Sequence, residues 1–273
     1  MRELGYIEGS NLIVEARFAD GRVDRLPALV SDLIKRRVDV IFTYSLPGAL
    51  AAKNGTSTTP IVAVTADPVG SGLVASLSRP GGNVTGLSTA WEEGRGGKWL
   101  ELLHETVPNL STVAVISNPQ DALAAMAAQQ LRAAAATRGL KLRFIDVHHR
   151  TELDYAFELA RRHAEAAVVV PGAFTNTHRQ EILALAAKLR LPDLHGTPED
   201  AELGALLAYG PDSPQLWRRA AEYVDKILRG AKPADLPVER PTSVSLSVNL
   251  KRAKELGIRI PESILLRADR VIR

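Results

Sequence analysis

The sequence predicts an α/β protein built as two strand–helix arrays in series, and three observations point there. Short runs rich in Val, Ile and Thr alternate with longer segments of helical period, the pattern of parallel strands joined by crossover helices. Most of those runs are unbrokenly apolar rather than alternating, so helices should cover both faces of each sheet. The helical segments also carry ordinary start and stop residues.

Taken in order, NLIVEARF (11–18) reads as the first strand and 25–37 as a helix, whose basic end Lys35 to Arg37 complements the helix dipole. VDVIFTY (38–44), a helix over 46–54, PIVAVTA (60–66), a short helix over 70–78 and NVTGLS (83–88) come next, with RPGGN (79–83) as a turn. Near residues 87–94 the pattern loosens in TAWEEGRGGK, and a second array begins. Its strands are TVAVISN (112–118), KLRFIDV (141–147), AAVVVPG (166–172), LPDLHG (191–196), GALLAYG (204–210) and TSVSLSVNL (242–250). Its helices fall at 95–106, 120–138, 151–164, 176–190, 213–229, 249–256 and 262–268. Arg138 and Gly139 close one as a basic last turn and C-cap, Asp154 and Tyr155 open the next after Thr151, and Gly230 closes the long one.

With 273 residues the chain can bury a substantial core, and 45% apolar against 24% charged and 5% aromatic residues makes that core aliphatic. A net charge of +3, from 34 basic and 31 acidic side chains evenly spread, gives no footprint for nucleic acid. The absence of cysteine removes thiolate catalysis and Cys-type metal sites. No stretch has the ~18 apolar residues of a membrane span, and MRELGYIEGSN has no signal-peptide pattern.

The stretch DPVGSGLVASLSRPGGNVTGLS (67–88) contains Gly70, Gly72 and Ala75 at dinucleotide spacing, with Glu92 downstream as a candidate ribose acid. Against a cofactor, Asp67 to Val69 separate the strand from Gly70, and Arg79 to Gly82 cut the helix to about two turns where the binding unit wants roughly three or more. Ser45 in TYSLPGA sits at a strand-to-helix turn, but Thr43 and Pro47 replace the glycines of a hydrolase elbow, which favours a ligand-facing serine at a helix N-terminus. None of the six histidines forms a helical i, i+4 pair, so no metal is expected. Asp67, ending a buried strand before Pro68, is either a ligand contact or a cap for the helix after it. Ligands of such sheets sit at the carboxyl ends of strands, which nominates Tyr44, Ser45, Thr65, Asp67, Ser88, Asn118, Phe174, His195 and Tyr209 as ligand-binding residues around one cleft.

DPVGSGLVASLSRPGGNVTGLS, then AYGPD (208–212), then the terminal ADLPVERPTSVSLSVNLKRAKELGIRIPESILLRADRVIR resemble the signatures of the ABC transporter substrate-binding protein family with a type I periplasmic binding fold, in particular its aromatic amino-acid binders. RELGYIEGSNLIVEARFADGRVDRLPALVSDLIKRRVDVI is similar to that family's first block, so the likeness runs from residue 2 to 273. It implies two Rossmann-like lobes, 1–86 plus 210–243 and 87–209 plus 244–273, joined by three crossovers near Thr85 to Ser88, Leu206 to Gly210 and Val244. The lobes would close by hinge motion on a small molecule, with no catalytic group and no cofactor. A membrane ABC permease would be the partner, the protein a monomer, and its location periplasmic or otherwise extracytoplasmic at the membrane. The competing readings are an α/β hydrolase-like enzyme using Ser45 or Asp67, and a cytosolic ligand-sensing domain of the same fold.

Two departures from the family carry expectations. The family's leader and first strand, which would lie between NLIVEARF and VDVIFTY, have no counterpart here, so Met1 is expected to be a late start with roughly 30 further βα residues and a signal upstream. The Asp-Asn pair of the aromatic amino-acid binders is replaced after VVVPG by Ala173 and Phe174. Without that carboxylate an α-amino acid is disfavoured unless Asp67 supplies the charge, and Phe174 favours a flat or partly apolar ligand.

Overall fold

Why the apolar runs become central strands is plainest at Ile61–Thr65, where every residue is buried and successive side chains serve opposite faces. In the computed structural model, which describes residues 1–20, 22–89, 94–121, 123–240 and 244–273, Ile61 and Ala63 join one apolar cluster while Val62 and Val64 join another. The chain divides into two units: unit 1 comprises Met1–Ala90 and Ser213–Thr242, and unit 2 comprises Trp91–Asp212 and Ser243–Arg273.

Unit 1 contains α1 (Leu26–Lys35), β1 (Ile41–Thr43), α2 (Leu46–Gly55), β2 (Ile61–Thr65) and β3 (Val84–Ser88). The sheet is parallel in the order β1-β2-β3, with Thr43 beside Ala63 and Thr65 beside Ser88. Val30 of α1 and Ala49 and Ala52 of α2 pack on the Ile61 face. Leu216, Ala220, Tyr223 and Ile227, from a later helix, cover the Val62 face, so the unit has three layers. Residues 236–240 run alongside β3: Ser88 N donates to Glu239 O, and Glu239 N to Gly86 O.

Unit 2 contains α3 (Arg95–Thr106), β4 (Thr112–Ser117), α4 (Ala124–Arg138), β5 (Lys141–Asp146), α5 (Leu153–His163), β6 (Ala166–Val169), α6 (Ala173–Thr177), α7 (Arg179–Lys188), β7 (Asp193–His195), α8 (Asp200–Leu203) and β8 (Leu207–Pro211). The chain then contributes α9 (Ser213–Leu228) to unit 1, and returns with β9 (Val244–Asn249), α10 (Leu250–Leu256), α11 (Glu262–Arg267) and β10 (Arg270–Ile272). The sheet order is β10-β9-β8-β7-β6-β4-β5. Val113 and Val115 face the Trp99, Leu103 and Leu131 layer, and Ala114 and Ile116 face Phe157 and Ile182.

Several expectations are corrected. NLIVEARF is not a strand: among the described residues it makes only the bridge Glu8–Leu12, and Ile13 and Phe18 are exposed. An apolar extended run becomes a strand only where a neighbour takes its N–H and C=O groups, and among the described residues β1 pairs with β2 alone. The helix expected over 70–78 is a chain of turns, because Gly72 adopts φ 69° and Val74 N reaches back to Pro68 O instead of starting an i to i−4 ladder. The 176–190 helix is two, broken at His178. The second sheet is not wholly parallel, since β9 runs antiparallel to β8 and β10 pairs parallel with β9. Glu92 lies outside the described residues. No helix among the described residues is long and apolar enough to cross a membrane.

Candidate functional site

The nominated residues fall into two sets, one in each unit. In unit 1 they line the carboxyl ends of three adjacent parallel strands. Ser45 caps α2, its Oγ accepting from Gly48 N at 3.1 Å. A Cβ at Gly48 would stand 2.5 Å from Thr43 Oγ1 and 2.8 Å from Ser45 Oγ, so one of these hydroxyls would have to move. Thr65 ends β2 in the core, and its Oγ1 has no hydrogen-bond partner among the described residues. Ser88 ends β3 with its hydroxyl donating to Ala66 O at 3.0 Å. Asp67 is exposed and caps the following turn, Oδ1 accepting from Gly70 N at 2.8 Å. The cap half of the two readings of Asp67 is therefore realised, and it caps a turn rather than a helix.

Tyr44 is half-exposed, and its ring stands edge-on to Trp217 of α9 at 4.7 Å, with Phe42 also edge-on to Trp217 at 5.9 Å. Sequence reasoning missed Trp217, because nothing in the SPQLWRR stretch distinguishes an aromatic that meets Tyr44 from one on a solvent-facing helix. The apolar stripe of α9, Leu216, Ala220, Tyr223 and Ile227, sets its rotation, and Trp217 lies beside it.

In unit 2 the chain leaves β4 for β5 on one side and returns to β6 on the other, so the carboxyl ends of β4 and β6 form a topological switch point. Asn118 comes directly after β4 and is buried, with Oδ1 accepting from Gln120 N at 2.8 Å. Three residues on, Asp121 accepts from Ala173 N at 3.0 Å and ties the loop to α6. Burial pushes the Asp121 carboxyl up, against the opposing pull of the Ala173 and Phe174 N–H groups. Phe174 is partly buried with its ring 4.7 Å from that of His178. Tyr209 lies within β8, and its carbonyl accepts from Trp99 Nε1 at 2.8 Å.

His195, at the end of β7, is buried between two carboxylates: Nε2 is 3.0 Å from Asp193 Oδ2 and Nδ1 is 2.9 Å from Asp200 Oδ2. Burial works against charge, but the hydrogen bonds and negative charges of both aspartates outweigh it and raise its pKa to about 9, so it is an imidazolium at neutral pH. Asp193 Oδ1 accepts from Leu206 N, and Asp200 Oδ1 is 2.9 Å from Arg179 Nε. The DLH spacing puts Asp193 and His195 on one face of a strand, a legible signal; Asp200 and Arg179 arrive through loops whose return the sequence does not specify. A small polar pocket adjoins this network, lined in part by Thr175, Asn176, Arg179, His195, Thr197 and Asp200.

Such an arrangement offers hydrogen-bonding side chains at strand ends and aromatic surface beside them. Among the described residues the hydrogen-bond partner of Ser45 Oγ is a backbone N–H and not a base. Known proteins agree with a binding role. A tyrosine-binding protein of Clostridioides difficile is 25% identical over 260 residues, covering 94% of this chain and 74% of that protein. The solved structure of a conserved domain protein from Vibrio cholerae is 29% identical, with a TM-score of 0.89 and coverage of 99% and 90% of the two chains. An ABC domain from Streptococcus pneumonia in complex with L-Trp is 25% identical at a TM-score of 0.89, covering 99% of this chain and 91% of that one. The family model described as ABC transporter substrate binding protein matches residues 1–272, and with two α/β units whose candidate groups gather at strand ends, the chain belongs to that family of solute-binding receptors.

Proposed function

We propose that this receptor takes up a small aromatic or partly apolar polar solute, one molecule per monomer, holds it unchanged and delivers it to a membrane ABC permease from an extracytoplasmic location. The observation that carries the ligand class is in unit 1. There the Thr65 hydroxyl, without a partner among the described residues, and the Ser45 cap end neighbouring strands, while the Tyr44–Trp217 pair exposes aromatic edges from the loop after β1. Buried hydroxyls without partners are costly unless a ligand completes them, and aromatic edges favour a flat apolar body. Tyr44, Ser45, Thr65, Asp67 and Ser88 of unit 1 and Asn118, Phe174, His195 and Tyr209 of unit 2 are proposed as the groups around the solute, with His195 acting through its neighbours because both ring nitrogens are engaged. Relatives that bind tyrosine and L-Trp support this ligand class.

Isothermal titration with L-tyrosine, L-tryptophan and non-amino aromatic acids tests the reading. Saturable one-to-one binding, with the compound recovered intact, is the expected result. Consumption of a bound compound would replace the receptor with an enzyme.

A further inference from the structure

We propose that Arg179 sets the ligand class of unit 2, its guanidinium taking a carboxylate of the solute; the proposal rests on the receptor reading above. Four groups of alternating charge run from the core toward solvent: Asp193, His195, Asp200 and Arg179. The first three are buried, with 0%, 2% and 5% exposure, and the Arg179 side chain emerges at 30%. Each link is short, at 3.0 Å, 2.9 Å and 2.9 Å in that order. Burying ionised groups seldom adds net stability over apolar packing, so a chain of this kind is better understood as fixing the position of its outermost member.

Arg179, His195 and Asp200 all line the pocket beside this chain, but both ring nitrogens of His195 already face carboxylates. Arg179 opens α7, its Nε lies in ion-pair contact with Asp200 Oδ1 without a hydrogen bond between the two, and its Nη2 donates to Asn176 Oδ1 at 3.3 Å. Neither contact uses Nη1. Thr175, Asn176 and Thr197 line the same pocket and add hydroxyl and amide groups beside Arg179. A planar guanidinium already oriented by two partners matches a planar carboxylate and loses little entropy on binding it. The neighbouring Asp200 carboxylate disfavours a doubly charged phosphate, which leaves a monoanion as the fitting class.

The test compares carboxylates with their decarboxylated counterparts: L-tryptophan with tryptamine, L-tyrosine with tyramine, and indole-3-propionate as a carboxylate lacking the amine. Calorimetry on the full chain is expected to give carboxylate binding about 100-fold tighter than binding of the amine partner. Arg179→Gln should weaken carboxylate binding by about 30- to 300-fold, while changing tryptamine or tyramine affinity by less than about threefold. Arg179→Lys, which keeps the charge but not the fork, should fall between the two. A purely structural Arg179 would instead lower the melting temperature and weaken every compound alike, which overturns the proposal. Equal affinities within each pair in the unmodified protein also overturn it, and leave the receptor reading standing. Failure of all three carboxylates to bind overturns it too; a small molecule co-purifying in native mass spectrometry would then preserve the receptor reading, and its absence would remove both.

Discussion

Replacing His195 with Gln removes the imidazolium that two buried aspartates share, and the structure gives both the size and the pH dependence of the loss. The imidazole pKa rises from 6.5 to about 9 on folding. At 1.36 kcal/mol per pH unit this corresponds to about 3 kcal/mol. Because the folded pKa is the higher one, the folded state holds the proton more tightly. The stabilisation is therefore complete below about pH 6.5 and disappears as pH climbs through about 9. Urea unfolding of the unmodified protein, monitored by fluorescence and calorimetry so that separate unfolding of the two units is detected, should show unit 2 losing about 3 kcal/mol between pH 6 and pH 9.5. His195→Gln should begin about 3–5 kcal/mol lower at pH 6, as expected when one member of a buried ionic set is removed, and should lack that pH slope. An equal slope in the variant, or a flat profile in the unmodified protein, would refute the imidazolium assignment.

Three further outcomes are expected from the geometry. Gly48→Ala, whose Cβ would crowd Thr43 Oγ1 and Ser45 Oγ, should cost about 1–3 kcal/mol by chemical denaturation and weaken solute binding through the displaced Ser45 hydroxyl. Asp67→Ala removes the acceptor of Gly70 N and should lower stability by about 1 kcal/mol; a more than tenfold loss of affinity at unchanged stability would make Asp67 a ligand group first. Gly86→Ala should abolish soluble expression, since Gly86 has φ 138° and a Cβ would lie 2.0 Å from Ala63 O in the neighbouring strand.

How much of this was legible depends on whether local chemistry or a distant partner decides each element. The β2 and β4 runs declare themselves because they are apolar on both faces, and α3 falls over residues 95–106 as expected. The segment 11–18 has the same local character, yet a strand is a property of a pair, and no neighbour among the described residues takes up its backbone as a ladder. At Asp67 the carboxylate capping an N–H three residues on is common to helix starts and to turns, so the sequence did not distinguish them. The four-residue α8 and three-residue β10 are too short to show a period. In the site, strand-end positions were readable from the α/β pattern, while the Tyr44–Trp217 pair and the Asp200–Arg179 link join residues whose proximity only the folded chain determines.

The most direct measurement of the central claim is native mass spectrometry of the freshly purified protein, then denaturation and identification of whatever is released. A solute receptor should carry one small aromatic or partly apolar molecule per chain. The same molecule, added back to stripped protein, should rebind one to one and be recovered unaltered after prolonged incubation. Recovery of a chemically changed product would contradict the account.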